Sequence, residues 1–179
     1  MLHLLALSGS LRAVSSNTSL LQATALLAPA QVSISLYQGL DQLPHFNPDI
    51  EHPLPASVLD LQSRIAQADG LLISCPEYAR GIPGAFKNAL DWLVGSLDFP
   101  GKPVALFNAS PRASDAQAAL RLVLSTMSAD IVDAASISAQ LLARGLDART
   151  IAADPALAPL IHAALAAFAQ HIRNRRVVP

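Results

Sequence analysis

Leu2-His3-Leu4-Leu5-Ala6-Leu7 runs straight into Ser8-Gly9-Ser10-Leu11-Arg12-Ala13-Val14-Ser15-Ser16-Asn17, and that junction decides the fold. An apolar run this short, stopped by Ser-Gly-Ser, predicts a buried strand rather than a helix. After Asn17 the apolar positions become Leu20, Ala23 and Leu27, with Leu26 at the edge of the stripe, which is helical spacing. Val32, Ile34 and Leu36 then alternate with Ser33 and Ser35, so a second strand follows.

The same alternation continues outward. Gln38 to Pro55 is turn-rich, with Pro44, Pro48, Pro53 and Pro55, and a loop of that length in a compact domain is more often functional than accidental. Ser57 with Asp60 has the spacing of a capping box, ahead of Val58, Leu61, Ile65 and Ala68 at helical spacing. Asp69-Gly70 turns the chain into a third strand, Leu71-Leu72-Ile73. A helix from about Gly84 carries Phe86, Leu90 and Leu93, and Gly95 is placed to end it. Pro103 to Phe107 reads as a fourth strand, and Ser114 is placed to cap a helix with Leu120, Val123, Leu124 and Met127. A fifth strand is expected between Ile131 and Ile137. Asp154-Pro155 opens a last helix whose inner face is Leu157, Ile161, Leu165, Phe168 and Ile172.

Apolar strands separated by helices predict an α/β, flavodoxin-like three-layer sandwich. Its five-stranded parallel sheet has the order 2-1-3-4-5, with helices on both faces. In such a sheet the ligand sits outside the carboxyl ends of the strands, near the switch between strands 1 and 3.

Composition sets the outer bounds. The chain has 179 residues, a length that predicts a single domain over 1–179. Its formal net charge is −1, from 12 Lys and Arg against 13 Asp and Glu. A nucleic-acid partner is therefore not expected. The one basic cluster, Arg173, Arg175 and Arg176, follows the last apolar helix pattern, where cations complement a helix C-terminus. No apolar run approaches the roughly 20 residues of a membrane span, and Met1 to Leu7 lacks the features of a signal peptide. A cytoplasmic protein with no membrane partner is expected. The single cysteine, Cys75, sits at the end of an apolar strand and reads as an inert buried thiol. His3, His162 and His171 are dispersed without metal spacing, and His45 and His52 read as solvated loop residues. Only 14% of residues are charged, against about 25% in an average soluble domain. With the long proline-rich loop, that predicts a homodimer or homotetramer.

The loop after strand 1 has two readings. Ser10, Ser15 and Asn17 either cap the helix or, with its free amides, form an anion site. Arg12, with a guanidinium fork suited to phosphate, is the residue that capping leaves unexplained. The spacing is neither Walker A nor GxGxxG. The loop after strand 3, Cys75-Pro76-Glu77-Tyr78-Ala79-Arg80-Gly81-Ile82-Pro83-Gly84, is stiffened by two prolines and two glycines, with Tyr78 as an aromatic contact for a flat ring. Arg80 lies beside that ring site.

Taken together, Gly9-Ser10-Leu11-Arg12-x-x-Ser15-x-Asn17 and Pro76-Glu77-Tyr78-x-x-Gly81-x-Pro83-Gly84-x-x-Lys87-Asn88-Ala89-x-Asp91-Trp92 resemble the NADPH-dependent FMN reductase family. The likeness includes Leu43-Pro44-x-Phe46-Asn47-x-Asp49 in the long loop. It implies FMN as cofactor and NADPH or NADH as co-substrate. A quinone, free flavin or similar small molecule would be the acceptor. It also implies that Ser10, Arg12, Ser15 and Asn17 hold the FMN phosphate. Pro76, Glu77, Tyr78 and Gly81 would lie along the isoalloxazine, the last three largely through backbone, with Ser110 as a further contact. The flavin would carry the chemistry, so no catalytic side chain and no metal is expected. Relatives suggest an intersubunit ion pair for Glu77; Lys87 and Asp91 have the spacing of an i,i+4 helix pair, and Trp92 reads as a packing or interface residue. The chain departs from the family at Ala79, where asparagine is usual, and in Asn108 to Ser114, which lacks the usual glycines. Two other classes stay open: a flavodoxin-type electron carrier, and a flavin-free binding module.

Overall fold

A computed structural model describes residues 1–141 and 145–177. The strands are β1 (Leu2–Ser8), β2 (Val32–Leu36), β3 (Gly70–Ser74), β4 (Pro103–Asn108), β5 (Asp130–Ile131) and β6 (Ile137–Ser138). The helices are α1 (Ser16–Leu26), α2 (Ala56–Gln67), α3 (Gly84–Leu93), α4 (Ser114–Thr126), α5 (Ala148–Ala153) and α6 (Leu157–Val177). The sheet is parallel throughout, in the order β2-β1-β3-β4-β5, with β6 also on β4.

Alternation along the strands builds two cores. Leu2, Leu4 and Ala6 of β1 join Leu72, Ala105 and Phe107 against α1, α5 and α6, around Leu20, Ile151, Leu165 and Phe168. Leu5 and Leu7 face the other way, with Leu71, Ile73, Val104 and Leu106, against α2, α3 and α4. A period of two in the strands and of 3.6 in the helices thus gives the expected three layers.

The fifth strand differs from expectation. Asp130–Ile131 pairs with Pro103 and Val104, a turn at Asp133–Ala135 interrupts, and Ile137–Ser138 resumes beside Phe107 and Asn108. The ladder survives the interruption through a side chain: Leu106 N–H donates to Ser136 Oγ (3.0 Å), which donates in turn to the Val132 carbonyl (3.1 Å). A hydroxyl therefore does the work of a strand carbonyl.

Two capping readings also change. Pro55, not Ser57, occupies the cap position of α2, leaving Ser57 inside the first turn and Asp60 paired with Arg64 (2.9 Å). Ala113 occupies that of α4, so Ser114 lies within the helix. The chain leaves α3 through Val94 in right-handed conformation, so the exit uses no left-handed glycine at 95. Asp154 does open α6, accepting from the Ala156 (2.9 Å) and Leu157 (3.1 Å) amides. The short α5 was not foreseen; Asp147 caps it through the Thr150 amide (2.7 Å).

The proline-rich loop is fastened to α3. Asn88 Nδ2 (2.9 Å) and Trp92 Nε1 (2.8 Å) both donate to the Pro44 carbonyl, and Asn88 Oδ1 accepts from Phe46 N–H (2.7 Å). Phe46 packs edge-on to Trp92, centroids 5.0 Å apart. Trp92 is thus a packing residue within the chain, and Lys87 pairs with Asp91 as its spacing indicates. The basic cluster lies at the C-terminal end of α6, past the apolar stripe that ends at Ile172; the side chain of Arg176 lies outside the described part. No helix among the described residues is long and apolar enough to cross a membrane.

Asp130 ties the sheet edge to α6, meeting His171 Nε2 (2.6 Å) and Arg175. Partial burial opposes its ionisation, but hydrogen bonds and charge from His171 and Arg175 outweigh that and hold the carboxyl below its ordinary value. The stabilisation is therefore present above the unfolded carboxylate pKa of about 4 and is lost as the pH falls. Urea midpoints should fall more steeply from pH 5 to pH 3 in the wild type than in Asp130→Asn. At neutral pH, Phe168→Ala should cost about 3–5 kcal/mol in the same assay, because the ring is fully buried between α6 and the sheet.

Candidate active site

The loops leaving β1, β3 and β4 enclose an open cleft of about 250 Å³ at the carboxyl edge of the sheet. From the first loop and the start of α1 come Ser10, Arg12, Ser15, Ser16 and Asn17. The second supplies Cys75, Pro76, Glu77 and Tyr78, and the third Asn108, Ala109, Ser110, Arg112 and Ala113. Eight of the nine residues singled out in the sequence meet here. Gly81 does not line the cleft.

Each wall has a local cause. Ser15 caps α1, its hydroxyl accepting from the Thr18 amide (3.4 Å), and the first amides of any helix have no partner inside it. Ser10 Oγ accepts from the Arg12 amide (3.3 Å), curling the loop back toward its own start. The buried Ser74 hydroxyl donates to Asn17 Oδ1 (2.9 Å), which commits the oxygen and leaves the amide nitrogen as the donor open to a ligand. Capping and anion binding, two readings of this loop from the sequence, are thus compatible. Ser15 caps, while the helix start and Asn17 keep donors free.

The second loop is a tight hairpin. Tyr78 N–H donates to Gly81 O (3.1 Å) and Gly81 N–H to Tyr78 O (3.0 Å), with Ala79 at φ 49° and Arg80 at φ 62° between them. Two left-handed central residues make a type I′ turn, which favours Asn and Gly because a Cβ there is strained. The Tyr78 and Gly81 amides are therefore spent within the turn, which leaves neither free for backbone donation to a bound ring.

Glu77 has a role the sequence hid. Its Oε2 accepts from the Ala116 amide (2.9 Å), so a carboxylate from the β3 loop caps α4, which has no local side-chain cap. Negative charge is favourable at that end of a helix. Within this chain Glu77 is a helix cap, using one of its two carboxylate oxygens.

Arg112 and Asn108 were also missed. Of the third loop's polar liners, only Ser110 is marked by the family resemblance. Asn108 Oδ1 accepts from the Ser110 amide (3.0 Å), and Ser110 Oγ from the Arg112 amide (3.3 Å), successive turns that give a glycine-free loop its curvature. Cys75 lies on the floor, fully buried, its thiol pushed up to about 12 by burial.

A model of the family "NADPH-dependent FMN reductase" matches residues 2–143. The chain belongs to that family. It is 37% identical over 113 residues to a quinone reductase of Escherichia coli strain K12, 61% of this chain and 60% of that one. It is 41% identical over 105 residues to a 2-hydroxy-1,4-benzoquinone reductase of a Burkholderia species, 57% of each chain. The match thus spans under two thirds of these relatives' length. Among solved structures, the chain superposes on FerB, a flavoenzyme NAD(P)H:(acceptor) oxidoreductase from Paracoccus denitrificans. The TM-score is 0.82 at 30% identity, covering 97% of this chain and 98% of that one.

The residues present suit the family's cofactor. Hydroxyls, a free amide, the start of an eleven-residue helix and an arginine with no carboxylate partner among the described residues are the donor set of a phosphate monoester. Pro76, Tyr78, Ala109 and Ala113 offer an apolar wall to an aromatic ring.

Ala79→Asn should stabilise the protein by about 0.5–1 kcal/mol, because asparagine tolerates the left-handed region. Glu77→Ala should cost about 1–2 kcal/mol through loss of the α4 cap. Both are read from thermal or urea unfolding. Cys75 should resist iodoacetamide at pH 8 in the folded protein and react fully in 6 M guanidinium chloride.

Proposed function

We propose that this chain is an FMN-dependent NAD(P)H oxidoreductase that reduces quinones or similar small acceptors. The observation that carries the reading is the meeting, at the switch edge of the sheet, of a phosphate-type donor set with an apolar wall. Family membership and the likeness to FerB support it. When bound, FMN would take a hydride from the nicotinamide and return two electrons to the acceptor. The balance is NAD(P)H plus one proton plus quinone, giving NAD(P)⁺ plus hydroquinone.

The protein's part is binding and placement. Ser10, Arg12, Ser15 and Asn17 would hold the phosphate, two of them already fixed by Thr18 and Ser74. Pro76 and Tyr78 would bound the ring, with Ser110 at the third loop. Glu77 positions this wall by fastening it to α4. Cys75, with its raised pKa, stays a neutral thiol and takes no proton-transfer role. Residues 1–179 would act as one unit, in the cytoplasm. A homodimer or homotetramer is proposed as well, supported by exposed apolar side chains at Leu11, Val14, Val94 and Leu97.

The test is anaerobic: protein reconstituted with FMN should lose its visible flavin band on addition of NADPH or NADH. A bound flavin that stays oxidised with both would overturn the reading in favour of an electron carrier. Arg12→Ala should raise the FMN dissociation constant about 10–100-fold, as expected for a lost charge-assisted hydrogen bond, while leaving riboflavin affinity nearly unchanged. Fluorescence quenching reads both.

A further inference from the structure

The cleft separates into a floor and a mouth. Ser15, Cys75, Ala109, Ser110 and Ala113 are buried and neutral, while Arg12, Tyr78 and Arg112 are exposed. Charge at the mouth is sparsely compensated. Arg80, next in the Tyr78 hairpin, already faces Asp115 (3.4 Å), and Glu77 points one carboxylate oxygen at the Ala116 amide and forms no ion pair among the described residues. Arg12 sits beside the start of α1, where the phosphate-type donors gather. Arg112 is different. Its amide is held by Ser110 Oγ, its guanidinium has no carboxylate partner among the described residues, and it stands on the loop opposite Arg12.

We propose that Arg112 is a specificity-determining residue for the electron acceptor, selecting acceptors that carry an anionic substituent such as a carboxylate, a sulfonate or an ionised hydroxyl. This rests on the oxidoreductase reading above. A ligand arriving over a floor already filled by a cofactor meets the exposed rim first; of its two arginines without a carboxylate partner among the described residues, Arg12 stands with the phosphate-type donors and Arg112 is left for a second ligand. A guanidinium fork binds an oxyanion through two parallel donors, which both attracts and orients it. Because the residue is exposed, the attraction is screened by salt, unlike a buried pair.

The experiment uses the FMN-loaded protein and two acceptors that differ in one charge, 1,4-naphthoquinone and 1,4-naphthoquinone-2-sulfonate. Wild-type protein should favour the sulfonate in kcat/KM, and the preference should shrink at 0.5 M NaCl. Arg112→Gln should lower the sulfonate-to-neutral ratio about tenfold, and Arg112→Lys should restore part of it. A second readout needs no turnover. Binding of 2-naphthalenesulfonate, followed by perturbation of the flavin absorbance, should weaken about tenfold in Arg112→Gln.

Equal losses on both quinones with unchanged naphthalenesulfonate binding would overturn the proposal. A shift in the NADPH-to-NADH ratio with the quinone ratio unchanged would also overturn it, assigning Arg112 to the nucleotide's phosphate. Weaker FMN binding with riboflavin unaffected and the quinone ratio unchanged would do the same, assigning it to the cofactor. If the loaded protein reduced neither quinone, the oxidoreductase reading would fall, while the naphthalenesulfonate titration would still decide whether Arg112 binds an anion.

Discussion

The cleft depends on how closely β1 and β3 leave the sheet. Gly9 N–H donates to the Ser74 carbonyl at 2.8 Å, extending the ladder one step past the strand. A Cβ at Gly9 would lie 3.0 Å from Cys75 Sγ and 3.3 Å from both Cys75 Cα and Phe86 Cγ. The absence of a side chain is what lets the two backbones stay paired to their last residues. From that point the chains diverge, one into α1 and the other into the Tyr78 hairpin, and the space between them is the site. The buried cysteine belongs to the same constraint: it fills the volume under Gly9, and burial keeps its thiol protonated.

The walls are then fixed by bonds that reach far along the sequence. Ser74 holds Asn17 across 57 residues, and Glu77 holds Ala116 across 39. Such links stabilise a loop without making it part of a strand or helix, so donors stay free for a ligand. They also make the hairpin at Ala79 and Arg80 tolerable. Left-handed conformations at non-glycine residues cost about 1–2 kcal/mol each, and they persist where the surroundings over-determine them. Here the Tyr78–Gly81 bridge closes the turn from within and Glu77 anchors it from outside.

What could be read from the sequence was local. Alternation in Val32–Leu36 and the apolar run of β1 are signals carried by neighbouring residues, and both strands stand where expected. Ser57 and Ser114 misled because capping is a property of backbone conformation: Pro55, two residues before Ser57, and Ala113, one before Ser114, took the cap positions. The fifth strand broke at Ser136 because its hydroxyl substitutes for a carbonyl, an event with no periodic signature. The capping role of Glu77 and the place of Arg112 were invisible for a related reason. Their meaning comes from a helix start 39 residues away and from the lack of a carboxylate, and no spacing rule encodes either.

The division between a neutral floor and a cationic mouth follows from the cost of burying charge. An arginine sealed on the floor without a partner would incur a desolvation penalty of several kcal/mol before any ligand arrived. At the rim the guanidinium stays hydrated in the empty protein and gives up water only as an anion replaces it. The floor can then be lined by hydroxyls and alanines, which orient a ligand at little cost in its absence. An anion is thus attracted at the surface, where the field costs nothing to maintain, and sorted by hydrogen bonds below. The same layout makes affinity for a charged ligand sensitive to salt and affinity for its ring largely insensitive, because only the first depends on exposed charge.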